Sequence, residues 1–269
     1  MFEKTCMSLF GVLLAVGLVG CGPSVQVEGD CSVLPDARLV PACEAFVENQ
    51  RRYVLPALEE LSGVELGRCY ERIAITFRER RPEDRGLAAA YTEEGHIDYL
   101  FEQAEAMFDP DAIEVALYDS HEMLHMLYRC AGVPHEENYH HSSWDAVEAE
   151  LEDRIAAASG FEWSTRLSER FRAYASENFD FYKSYPQVLD EPGGRGGCHG
   201  LKTALVYGEY GRTGGAVIRR FFEALRTAHS PSLVPKENTP LEKSRYNELV
   251  LGLLPPDEVP ADQVARYCE

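Results

Sequence analysis

The pentapeptide His121-Glu122-Met123-Leu124-His125 lies inside an apolar run from Ala116 to Leu127, and this combination constrains the fold more than any other feature of the chain. Ile113 to Ser120 leads in without Pro or Gly, and Gly132 supplies a stop. The spacing therefore predicts one helix, apolar nearly all round and so buried. On a helix, residues four apart share a face: His121 and His125 project together, with Glu122 roughly 100° around. Two imidazoles and a carboxylate inside a core are costly without a partner. A metal suits all three, because Zn2+ takes neutral imidazole nitrogens, needs a third protein ligand and leaves a position for water. The chemistry expected is hydrolysis, with Glu122 as the general base.

Four downstream side chains are candidates for the third ligand: His135, His140, His141 and Glu148. Trp144, Leu151 and Ile155 fall at spacings of seven and four, and the vacant position of that apolar stripe, 148, holds a glutamate. A carboxylate in a core-facing stripe is expensive unless it binds something. Glu148 is therefore the first choice, His141 the next and His135 the last. Glu150 and Asp153 face elsewhere and are expected to be solvated, while Glu152 is a candidate acceptor for a ligating histidine.

The N-terminus has the pattern of a lipoprotein signal: Lys4, an apolar stretch from Met7 to Val19, then Leu18-Val19-Gly20-Cys21. The stretch is too short for a spanning helix. Residues 1–20 are expected to be a signal peptide, Cys21 to carry the lipid, and the mature chain to lie in a bacterial cell envelope, on the membrane only through that anchor. With Cys6 and Cys21 so assigned, six of the eight cysteines remain: Cys31, Cys43, Cys69, Cys130, Cys198 and Cys268. An even set in an exported protein predicts disulfides, with Cys31 and Cys43 the one local pair. Cys130 and Cys198 as metal ligands lack CxxC spacing. A net charge of -19 argues against nucleic acid as a partner and against adhesion of the protein body to anionic lipid.

Residues 21–43, punctuated by Gly, Pro, Ser and Asp, are expected to form a lipidated tether, and residues 44–269 one domain. Residues 44–62 have helical spacing, with Pro56 a kink. Arg72 to Phe77 alternates as a strand does, and Gly86 to Tyr91 with His96 to Leu100 suggests a hairpin. Val133 to Ser143 is a polar loop. Helices are expected over 143–159, 165–185, 201–210 and 215–228, broken by Gly193 to Gly197, and the Pro-rich tail from Pro231 to Pro260 is expected to be irregular and stapled by Cys268.

On these residues the chain resembles the gluzincin metallopeptidases, in which a second helix after HExxH supplies a glutamate ligand. Trp144-Asp145-Ala146-Val147-Glu148-Ala149 is similar to the opening of that helix, with Ala149 where the family more often has glycine. Ile73 through Tyr99 is similar to its sheet and edge strand. Leu205-Val206-Tyr207-Gly208-Glu209-Tyr210-Gly211 resembles the Tyr-Gly helix of the membrane-associated metallopeptidase group. The likeness covers about residues 72 to 228, and HExxH is its specific part. It is not the metzincin pattern HExxHxxGxxH, because Tyr128 and Ala131 stand at the required Gly and His. The resemblance implies an α+β, zincin-like fold, with a small mixed sheet packed on the HExxH helix and a mostly helical C-terminal lobe. It implies zinc held by His121, His125 and Glu148, Glu122 as base, a peptide or protein substrate, and an oxyanion donor from the region of His199, Tyr207 and Tyr210. A rival of another class is a non-catalytic envelope lipoprotein that keeps a zincin-like scaffold for binding or for structural zinc.

Overall fold

The alternation from Arg72 becomes strand β2 (Arg72–Arg78), with Ile73, Ile75 and Phe77 buried and the intervening residues more exposed. The computed structural model describes residues 25–34, 36–78, 81–82, 89–91, 95–100, 120–135, 137, 143–191, 196–229 and 240–268. The segment expected to be a signal peptide, Cys21, residues 113–119 expected to lead into the HExxH helix, His140 and His141, and residues 192–195 lie outside them. β2 is an inner strand. β1 (Gln26–Gly29) pairs parallel to it on one side, and β4 (His96–Leu100) parallel on the other, with Ile97 opposite Ile75. β3 (Ala89–Tyr91) closes the edge antiparallel to β4, giving the mixed sheet β1-β2-β4-β3. The expected hairpin is thus present. Gly95 enters β4 at φ 86, where a Cβ would fall 2.5 Å from the Arg72 carbonyl oxygen.

The described part of the expected tether is folded. Val25 and Val27 are buried, and Val27 pairs with Ile73. The alternation there is only two residues deep, too short to stand out among Gly, Pro and Ser. What makes it a strand is the distant partner β2, which supplies its backbone hydrogen bonds. A Cys31–Cys43 disulfide then ties the segment to α1 (Val40–Asn49).

α1 runs through a π-helical turn, Gln50–Val54, into α2 (Leu55–Ser62). Pro56 sits in the first turn of α2, where its missing N–H disrupts least; the wide turn before it takes up the expected kink. Phe46 of α1 meets Tyr99 of β4 edge-on at 5.2 Å, so these helices and the sheet share a core. The HExxH residues form α3 (His121–Cys130), which runs beside the edge strand β3. Its end is a glycine motif: Gly132 at φ 80, with the Val133 N–H donating to the Tyr128 carbonyl. A Cys69–Cys130 disulfide joins that end to the turn preceding β2.

The rest of the described chain is helical: α4 (Trp144–Ser159), α5 (Glu162–Ser184), α6 (Gly197–Thr213) and α7 (Gly215–Ala228). α7 buries Val217, Ile218, Phe221, Phe222 and Leu225, the stripe its spacing predicts. The tail departs from expectation. It contains α8 (Lys243–Leu251) and α9 (Ala261–Tyr267), because Pro240, Pro255, Pro256 and Pro260 all fall between the helices and leave Tyr246 and Val250 free to pack inward. A Cys198–Cys268 disulfide staples the end of the tail to α6, as foreseen for Cys268. Cys31, Cys43, Cys69, Cys130, Cys198 and Cys268 are therefore all paired, and Cys130 and Cys198 are not available to a metal. Among the described residues no helix is long and apolar enough to cross a membrane.

Candidate metal centre

Ser120 precedes α3 at the N-cap position, yet its hydroxyl caps no backbone N–H. It reaches across to α4 instead, where Ser120 Oγ lies 3.0 Å from Glu148 Oε2 and 3.3 Å from Glu152 Oε1. Both carboxylates are buried, one helical turn apart on the core-facing stripe. The burial of Glu148 is what the spacing of Trp144, Leu151 and Ile155 predicted. Glu152 accepts from Ser120. Within the described residues the helix starts on His121 itself, so this first residue has a side chain that is 48% exposed while the rest of the pentapeptide is buried.

His121 Nδ1 stands 3.6 Å from Glu148 Oε1. His125 lies one turn further along α3, its ring 4.8 Å from that of His121 and perpendicular to it. Both rings pack on Trp144, with centroids 4.5 Å and 4.8 Å away. Trp144 opens α4 one turn before Glu148, so a single indole packs on both imidazoles, and His121 faces the carboxylate. Glu122 is buried in the first turn of α3, where the helix dipole favours a negative charge.

The donors suit zinc in kind: two imidazoles and a carboxylate. Donors on a tetrahedral zinc at about 2.1 Å each stand roughly 3.4 Å apart, close to the separation of His121 and Glu148. Glu148 itself has one hydroxyl and one imidazole within reach, little compensation for a carboxylate that is 2% exposed. A cation seated between it and the imidazoles would complete its environment. Among the described residues, however, no group of three His, Cys, Asp or Glu side chains stands at metal-holding spacing. Of the alternative third ligands, His135 is exposed after the glycine stop.

The residues expected to stabilise an oxyanion are engaged elsewhere. Tyr207 Oη donates to Asp145 Oδ2 at 2.8 Å and accepts from the Asp145 backbone N–H at 3.1 Å, and Asn178 adds a third bond at 3.1 Å. Burial and the neighbouring Asp145 charge push the phenol's pKa well above the usual value. Burial also raises the Asp145 carboxyl, against the hydrogen bonds from Tyr207 and Asn178. Tyr207 thus holds the start of α4 in place. Tyr207→Phe is expected to cost about 1–3 kcal/mol in chemical denaturation and to leave metal content unchanged. Unchanged stability with lost hydrolysis would return Tyr207 to a catalytic role.

His199 places Nδ1 3.4 Å from Glu137 Oε2, and Glu137 Oε1 accepts from Lys202 Nζ at 2.8 Å. Lys202, fully buried, also donates to Asn247 Oδ1 at 2.7 Å and sits 4.8 Å above the Tyr246 ring. This cluster pins the loop after α3 to α6 and α8, and it is not among the sites expected from the sequence. A signal was present: Lys202 falls four residues before Val206 on a buried stripe, the same reasoning that singled out Glu148. Glu150 and Asp153, expected to be solvated, are partly exposed and also form cross-links, Glu150 accepting from Tyr210 and Asp153 from Ser168 and Arg172. Comparison with protein-family models, with curated proteins and with solved structures returns no match, so any functional reading rests on this geometry.

Proposed function

We propose that this chain is a zinc-dependent metallohydrolase, acting on amide bonds of peptides or proteins and tethered to a bacterial envelope by a lipid on Cys21. The observation that carries the reading is the buried Glu148 carboxylate set 3.6 Å from His121, on a helix packed across from HExxH. The edge strand β3 beside α3, and the second helix bearing the carboxylate, support a zincin-like arrangement. His121, His125 and Glu148 would hold the metal, which when bound supplies a Lewis acid and a more acidic water. Glu122 would take the proton from the attacking water and pass it to the leaving nitrogen. Trp144 keeps both imidazoles oriented, and Ser120 keeps Glu148 in place.

The test is metal analysis of the mature protein produced in an oxidising compartment, together with hydrolysis of unstructured protein with and without a chelator. Near-stoichiometric zinc and chelator-sensitive hydrolysis are expected. Zinc without hydrolysis on a broad substrate panel would favour the binding-module reading, and absence of zinc after reconstitution would end the metal reading. Fatty-acid labelling that marks the wild type and spares Cys21→Ala checks the anchor; equal labelling of both would remove it.

A further inference from the structure

Only Gly22, Pro23 and Ser24 separate Cys21 from Val25, which is already buried in the core ahead of β1. A fully extended chain covers at most about 14 Å over that interval, against about 75 Å had residues 21–43 all been a tether. The leash is short. The fold carries the same constraint on to the metal centre. The Gln26 N–H donates to the Glu71 carbonyl at 3.5 Å, which holds the entry of β1 beside the turn that precedes β2. Tyr70, the neighbouring residue in that turn, is buried, and its hydroxyl donates to the carbonyl of Met126 at 3.4 Å, one residue past His125. The Cys69–Cys130 disulfide fixes the same turn to the end of α3. One tyrosine thus bridges the chain entry and the HExxH helix, and along this path His125 stands within roughly 25 Å of Val25. Leash and path together reach about 40 Å.

The surface at the chain entry does not oppose a bilayer. Arg68 pairs with Glu65 and Arg72 with Glu28, so charge is largely balanced around the exposed Glu71 although the whole chain carries -19. Repulsion from anionic headgroups is therefore weak there, and the lipid rather than the surface would hold the body in place. We propose, on the reading of Cys21 as lipidated and of the centre as a hydrolase, that the folded body is held against the bilayer. Its substrates are then polypeptides anchored in or lying along the same membrane, with the cleaved bond within about 40 Å of the headgroups.

The test reconstitutes the lipidated full chain in phosphatidylethanolamine and phosphatidylglycerol vesicles, with a fluorophore on a non-natural residue at Glu71 and an acceptor on the headgroups. Energy transfer is expected to be high, and to fall at least about twofold when about 30 Gly and Ser residues are inserted after Gly22, which adds about 30 Å of mean reach. Hydrolysis is read on a lipid-anchored polypeptide carrying the same unstructured segment either beside the bilayer or beyond a helical spacer of about 90 Å. Wild type is expected to cut the near segment about tenfold faster, and the insertion to bring the two rates within about threefold. Equal rates on both segments by wild type, or energy transfer unchanged by the insertion, would overturn the proposal. So would absent energy transfer in a wild type that takes up fatty-acid label. Absent labelling would remove the anchor and the proposal together. High energy transfer with neither segment cut would overturn the hydrolase reading and the substrate class while confirming the leash.

Discussion

Glu122→Gln is expected to retain zinc while hydrolysis falls by about 10²- to 10⁴-fold, because on the metallohydrolase reading this side chain moves a proton and holds no metal. The substitution is nearly isosteric, and Glu122 lies in the first turn of α3, so the fold should survive. His121→Ala and His125→Ala are expected to lose both zinc and activity. Glu148→Ala should weaken zinc binding strongly, and it also removes the partner of the Ser120 hydroxyl. Metal analysis and hydrolysis rates on the four variants separate base from ligands. Normal zinc in Glu148→Ala, with loss in His141→Ala or His135→Ala, would move the third ligand into the loop after α3. Equal hydrolysis by Glu122→Gln and wild type would remove the proposed mechanism.

Glu137→Gln is expected to destabilise the protein by about 3–5 kcal/mol, because it leaves the fully buried Lys202 ammonium without its counter-charge. Burial disfavours the charge on Glu137, but the His199 hydrogen bond and the Lys202 ammonium outweigh it and hold the pKa below the ordinary carboxylate value. For a depressed carboxylate, the folded state gains stability above the unfolded pKa and loses it as pH falls through the folded pKa. Wild type should therefore lose stability on acidification below the usual carboxylate range, and Glu137→Gln should lose less over the same interval. Burial lowers the Lys202 pKa against the pull of Glu137, so its contribution makes stability rise with pH on the alkaline side, between the folded and unfolded values. Lys202→Met combined with Glu137→Gln should be more stable than Glu137→Gln alone, since no buried charge is left unpaired. Urea denaturation from acid to neutral pH measures all three. A Glu137→Gln cost below about 1 kcal/mol would show that water reaches Lys202 and the pair is not a buried one.

Much of this protein follows from short-range pattern. The burial of α3 and of the stripe on α7, the alternation of β2, the position of Glu148 on α4 and the Cys31–Cys43 pair all depend on residues a few positions apart. Side-chain direction repeats every two residues in a strand and every 3.6 in a helix, so a neighbour's character announces which side is buried. Prolines mislead where they are counted without their positions: they suggested an irregular tail, yet they only punctuate α8 and α9.

The sequence by itself determined the HExxH helix, the carboxylate on the helix that follows it, and the mixed composition of strands and helices. Tertiary structure alone decided who meets whom. Parallel pairing of β1 with β2 turned an apparent tether into part of the sheet, and Ser120 gave its hydroxyl to Glu148 rather than to its own helix. Tyr207 was drawn to Asp145, His199 to Glu137, and Cys69 and Cys198 to partners 61 and 70 residues away. Periodicity records which face of an element avoids water, whereas a hydrogen bond, ion pair or disulfide depends on a second group brought near by the rest of the chain.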